Sequence, residues 1–107
     1  MIIRTGCDIA EIKRFSKLEG KVISRIFFNG ECRNKKPQTL AGIFAAKESC
    51  RKVFNDLGWL DVEIKNEKGG KPYAKFHKKK SMISCDLSIS HDGNYAIAVF
   101  VALLEKT

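Results

Sequence analysis

The chain has 107 residues, of which 44% are hydrophobic and 30% charged, a size that holds one compact domain and one core. That excludes a multidomain enzyme, and no apolar run approaches the ~20 residues of a membrane span. Twenty basic against twelve acidic residues give a net charge of +8, which points to an anionic partner: a phosphorylated small molecule, an acidic protein or nucleic acid.

The first strand is expected over residues 1–9, with Ile3, Thr5 and Cys7 on one side, Ile2, Arg4, Gly6 and Asp8 on the other, and Asp8 near its end. A helix over about 10–18 follows, with Ile12, Phe15 and Leu18 as its apolar side and Lys13, Arg14 and Lys17 exposed. Residues 21–29 read as a short helix and GECRNKKPQ as a surface loop. The clearest helix spans 39–57, where Leu40, Ile43, Phe44, Cys50, Phe54 and Leu57 recur at helical spacing, Thr39 caps the start and Gly58 stops it. LDVEIKN alternates apolar and polar residues as a half-buried strand does. Gly69, Gly70 and Pro72 then mark a turn into a short return strand, YAKFH. Two further strands, through Ile83–Ile89 and 95–104, flank the hairpin signal Asp92-Gly93. The sum is an α+β chain, an antiparallel sheet packed on one long helix, as a single domain over 1–107.

The opening MIIRTGCDIAEIKRF carries charges where a secretory signal has its apolar region, so the expected location is the cytoplasm. Cys7, Cys32, Cys50 and Cys85 lie far apart in sequence without a C-x-x-C pair, which argues against a zinc site and for reduced, buried thiols.

Few residues carry chemistry on their own. Lys47 falls inside the apolar stripe of the long helix, where a charge needs a snorkelling stem or an anion. Glu48 lies at the stripe's edge, and Lys52, four positions on, reads first as its surface ion-pair partner. Asp8 alone reads as a turn residue or cap. Asp8 and Glu48 brought together across a sheet–helix contact would make a two-carboxylate site of the kind Mg²⁺ takes with water and phosphate oxygens. Ser88, Ser90 and His91 precede the hairpin, but no G-x-S-x-G elbow accompanies them. No phosphate-cradling glycine motif is present either.

Three segments in one order are more specific: Gly6-Cys7-Asp8-Ile9, then Phe44-Ala45-Ala46-Lys47-Glu48-Ser49 with Lys52, then Ser88-Ile89-Ser90-His91. With Glu11-Ile12-Lys13-Arg14, Arg25-Ile26-Phe27, Glu31, Gly70-Lys71-Pro72 and Tyr95-Ala96-Ile97-Ala98-Val99, nearly the whole chain resembles the 4'-phosphopantetheinyl transferases of the holo-[acyl-carrier-protein] synthase group. The resemblance implies an enzyme that moves the phosphopantetheine arm of coenzyme A to a serine of apo acyl carrier protein, with Mg²⁺, in fatty acid biosynthesis. It implies Asp8 and Glu48 as metal ligands, Lys52 on the diphosphate with Lys47 as a further candidate there, and Ser90, His91, Gly70, Lys71 and Pro72 along the coenzyme. Lys13 and Arg14 would receive the acidic carrier. The chain would form a homotrimer with active sites at its interfaces. The segment between Glu31 and Leu40 is short for the family, and FHKKKSM replaces a stretch that is often helical in relatives.

Two rival classes remain at this level. A small RNA-binding domain would suit the charge but lacks an aromatic RNP pattern, so neither nucleic acid nor membrane is expected as a partner. A non-catalytic binder of an acidic protein would use Lys13 and Arg14 without metal chemistry.

Overall fold

The computed structural model describes residues 1–106. In chain order the elements are β1 (Ile2–Glu11), a 3-10 segment (Ile12–Ser16), α1 (Gly20–Ile26), α2 (Asn29–Cys32), α3 (Pro37–Val53), a second 3-10 segment (Trp59–Asp61), β2 (Val62–Asn66), β3 (Pro72–Phe76), β4 (Ser84–Asp92) and β5 (Tyr95–Leu104). The α+β class holds, but the strands form two antiparallel ladders, a three-stranded sheet β1-β5-β4 and a separate pair β2-β3.

The most apolar segment, β5, takes the centre of the larger sheet. Its inward residues Ala96, Ala98, Phe100 and Ala102 are all buried, and three of them are alanines, so α3 can lie close over β5 and β1. Gly6 is what lets β1 approach. A Cβ there would stand 1.9 Å from the Ser49 carbonyl oxygen, so no other residue fits without moving the strand off the helix. The Ser49 hydroxyl lies 2.7 Å from the Ala45 carbonyl and 3.1 Å from that of Ala98, which ties helix to sheet. Gly42 makes a similar approach to β4, where a Cβ would meet Ile89 at 2.9 Å.

Several boundaries differ from the sequence expectation. Residues 10–11 stay in β1, because pairing with β5 runs unbroken from Ile2↔Leu104 to Glu11↔Tyr95; the expected helix over 10–18 shrinks to the 3-10 segment. Asp8 is therefore inside the strand. The long helix starts at Pro37, whose missing N–H suits the first helical position, with Lys36 rather than Thr39 at the cap. It ends at Val53 rather than reaching Gly58, and Phe54 turns in to pack against Phe76 and Phe100. The tight loop after β4 is Gly93-Asn94, one residue later than expected, with Asp92 still paired to Tyr95 and Gly93 supplying the positive φ of +57°. All four cysteines are free, yet only Cys50 is buried; burial pushes its thiol up to about 12, which leaves it inert. The basic run 78–80 has no helix, and Lys78 and Lys80 both reach Asp56.

Candidate active site

Two charged clusters flank α3. The first is buried. Lys47 has no exposed side-chain surface and donates to Glu31 Oε1 at 2.7 Å, the Ile26 carbonyl at 2.7 Å and the Trp59 carbonyl at 2.8 Å, which occupies all three ammonium protons. Glu31 also accepts from the backbone N–H groups of Phe28 (2.8 Å) and Ile64 (2.7 Å). Burial lowers the Lys47 ammonium from its ordinary value, and the bond and charge of Glu31 counter that. Lys47 thus snaps α1, α2, β2 and the Trp59 turn onto α3. This corrects the expectation that it reaches a diphosphate: it has neither exposure nor a spare donor.

The second cluster opens to solvent. The Gly6–Ser49 contact carries β1 past α3 and puts Asp8 beside Lys52, with Nζ 3.7 Å from Asp8 Oδ1 and 2.7 Å from the Cys7 carbonyl. Glu48 is near enough that its charge, with burial as the larger cause, holds the Asp8 carboxyl above its ordinary value, against the pull of Lys52. Glu48 is not paired with Lys52 as helical spacing suggested. It pairs with Arg51, whose Nη1 donates to Oε1 at 2.6 Å, and the Trp59 indole N–H donates to the same oxygen at 2.6 Å. Lys52 is left to Asp8.

Two carboxylates that repel each other on a half-exposed surface fit a divalent cation. Among the described residues no third His, Cys, Asp or Glu joins them, so water and substrate oxygens would complete the shell, the habit of Mg²⁺ rather than of Zn²⁺.

A cavity of about 270 Å³ lies on the other side of α3, lined by Lys35, Thr39, Gly42, Gly70, Pro72 and His91 among others. Three of the residues expected along the coenzyme therefore meet around one space. Two do not. The Lys71 ammonium turns away to Asp86 Oδ1 (2.8 Å) and the Leu87 carbonyl (3.0 Å), because β3 abuts β4 there, and Ser90, one residue from His91, points to the opposite face of the sheet. Thr39, Gly42 and Ile43 face the cavity, whereas Glu48 and Lys52 fall about 150° round the axis from them at roughly 100° per residue. Within one chain the cavity and the carboxylates are separated by the helix. Lys13 and Arg14 stand on the 3-10 segment after β1; Lys13 is solvated, and the Arg14 guanidinium lies 5.6 Å from the ring centres of both Phe15 and Phe44.

Sequence reading missed Arg51, Trp59 and Lys35. Arg51 was open to the same helical arithmetic as Lys52, at i+3 of Glu48 rather than i+4. Trp59 reaches Glu48 only through the loop after α3, for which no periodicity exists, and Lys35 lies in a turn of the same kind.

Two acids and a lysine on one solvent-open surface could hold a cation and an anionic group side by side. The family model of the 4'-phosphopantetheinyl transferase superfamily matches residues 4–100, and the chain belongs to that superfamily. It is 39% identical to the holo-[acyl-carrier-protein] synthase of Geobacter sulfurreducens, covering 94% of this chain and 97% of that one. It is 37% identical to that of Campylobacter fetus, covering 90% and 96%. The fold superposes on the crystal structure of the Helicobacter pylori holo-[acyl-carrier-protein] synthase in complex with coenzyme A with a TM-score of 0.82, at 32% identity over 92% of this chain and 99% of that one.

Proposed function

We propose that the chain transfers the 4'-phosphopantetheine group of coenzyme A to a serine of apo acyl carrier protein, in the cytoplasm and in the service of fatty acid biosynthesis; its superfamily and its likeness to holo-[acyl-carrier-protein] synthases support this. The observation that carries this reading is the Asp8–Lys52 pair at the β1–α3 contact, with Glu48 near enough to act on Asp8 through its charge, in a chain of this superfamily. The serine oxygen forms a bond to the phosphorus that bears the pantetheine arm, the bond from that phosphorus to the bridging oxygen breaks, adenosine 3',5'-bisphosphate leaves, and the serine proton is lost to solvent.

Asp8 and Glu48 are the residues that would hold Mg²⁺; bound there, it offsets the charge that develops on the phosphate oxygens. Lys52 presents a half-exposed ammonium to the same oxygens and orients the diphosphate. Gly70, Pro72 and His91 line a cavity suited to the adenosine end, with Lys35 adding positive charge at its rim. Lys13 and Arg14 receive the acidic carrier.

The active unit is a homotrimer. Ile3 (65% exposed), Ile9 (60%), Tyr95, Ile97, Val99 and Val101 form a contiguous apolar outer face on the three-stranded sheet, the kind of surface that marks an interface, and a second copy of the chain is the occupant that hides it. The separation of cavity and carboxylates across α3 supports the same assembly: one coenzyme spans both if the cavity of one subunit adjoins the carboxylates of the next. Ser90, on the outer face, then acts at that junction.

The test is the intact mass of apo acyl carrier protein after incubation with the chain, coenzyme A and Mg²⁺, beside a chelator control. A metal-dependent gain of one phosphopantetheine per carrier supports the reading; no gain on several carriers, with folded protein, removes it.

A further inference from the structure

Glu48 is one of two carboxylates that this reading gives to Mg²⁺, and the structure gives it a support that the reading does not require. The Trp59 indole N–H and the Arg51 guanidinium both donate to Oε1, each at 2.6 Å. Oε1 thereby has both of its lone pairs engaged, and Oε2 takes part in neither bond.

Trp59 is itself held at three points. Its backbone carbonyl accepts from the buried Lys47 ammonium at 2.8 Å. The Arg51 guanidinium lies 4.8 Å from the ring centre, and its Nε donates to the Leu57 carbonyl at 2.8 Å, which anchors Arg51 to the loop that carries the tryptophan. On another side Phe44 packs at 6.3 Å between ring centres. A side chain so constrained makes a fixed donor rather than a passing contact.

We infer that Trp59 is a positioning residue for the metal site: its indole N–H, braced by Arg51, fixes the Glu48 carboxylate through Oε1 so that Oε2 is the oxygen offered to the divalent cation. A carboxylate free to rotate loses that freedom each time it binds, whereas one fixed beforehand has none to lose; partners of this kind typically alter metal affinity by about 10–100-fold. Trp59 acts through Glu48, so its effect falls on metal affinity and not on the rate at saturating metal.

The inference rests on the proposed assignment of Glu48 as a ligand, and binding of Mn²⁺, read from the electron paramagnetic resonance of the free ion, tests it without reference to turnover. The chain is assayed as its native assembly with coenzyme A present, as wild type, as Trp59→Phe, and with benzothienylalanine at position 59, which keeps the bicyclic shape and stacking but has no N–H. Because Trp59 is the chain's single tryptophan, that replacement is site-specific. Both altered proteins should bind Mn²⁺ about tenfold or more weakly, with the Mg²⁺ concentration for half-maximal transfer raised in proportion and kcat at saturating Mg²⁺ close to wild type. Wild-type Mn²⁺ affinity in the benzothienylalanine protein overturns the inference whatever the Trp59→Phe variant does, since only the N–H differs. If wild type binds Mn²⁺ in an Asp8-dependent way yet transfers no phosphopantetheine, the proposed function fails while the positioning role is still judged by the affinities; if wild type binds no Mn²⁺, both fall.

Discussion

Lys47 and Lys52 ride on the same helix, one turn and a half apart, yet the first has no exposed side-chain surface and the second keeps 56% of its own. Lys47 faces a carboxylate with four backbone groups around the pair, so every ammonium proton and both carboxylate oxygens are matched. Lys52 has one close carbonyl and a carboxylate at 3.7 Å that it shares with the field of Glu48. A buried ion pair with complete partners organises a fold and has nothing left for a ligand. The incompletely matched cluster holds charge that a cation or a diphosphate can complete, and it sits where substrate can arrive.

That contrast breaks most sharply through Asp8. Asp8→Asn should lower transfer by at least about 10²-fold, the scale on which one preorganised electrostatic group acts. The same change should leave the metal-free protein more stable at neutral pH. Burial and Glu48 hold the folded-state carboxyl above its ordinary value of 3.8, so its protonated form favours the fold, and that contribution is lost as pH rises through the folded value. The advantage of Asp8→Asn in thermal unfolding should therefore shrink as pH falls through that value. Mg²⁺ should raise the melting temperature of wild type alone. An Asp8→Asn variant less stable than wild type in chelator at pH 7 would sink the account of an unmatched cluster.

Lys47 should behave in the opposite sense. Lys47→Met leaves Glu31 charged and buried, a loss of about 3–5 kcal/mol, read by urea unfolding at fixed protein concentration. Transfer at low temperature should persist in whatever fraction stays folded. A loss of turnover in fully folded Lys47→Met would instead return Lys47 to the diphosphate.

Gly6 joins the two regions, and its substitution sharpens the comparison at a smaller scale. Gly6→Ala must move β1 or α3, since its Cβ would fall 1.9 Å from the Ser49 oxygen, and overpacking of this kind typically costs about 1–3 kcal/mol. The shift carries Asp8 away from Glu48, so activity should fall further than stability alone explains, with a raised Mg²⁺ requirement as the measured sign.

How much of this was legible beforehand divides along physical lines. The strands with strict alternation and the long helix were readable because burial on one face imposes a period. The inward placement of Lys47 followed from the same arithmetic, as did the possibility that Asp8 and Glu48 meet. The end of α3 was not readable, because Phe54 leaves the helix to join Phe76 and Phe100, a tertiary contact with residues far along the chain. The extension of β1 to Glu11 depends on β5, far along the chain, through the pairs Ala10↔Ala96 and Glu11↔Tyr95. The partners of Glu48 escaped for both reasons: one lies beyond a loop, and the other competed with Lys52 at equal helical reach.

The smallest expected effect separates Lys13 from Arg14 on the surface proposed to receive the carrier. Lys13 has 81% of its side chain exposed and only a 3.9 Å approach to Glu11, whereas Arg14 is stacked against Phe15 and Phe44, the latter packed in turn on Trp59. Truncating Lys13 removes a freely moving charge, so Lys13→Ala should raise KM for the carrier only a few-fold, about the 1 kcal/mol expected of an exposed pair, leave kcat alone, and converge on wild type at high salt, where such charges are screened. Arg14→Ala removes charge and packing together. Its larger effect should persist at high salt, because the part that runs through Phe44 is not electrostatic. Equal salt dependence for the two variants would show that the stack beneath Arg14 has no bearing on docking, and that both residues serve only as charge.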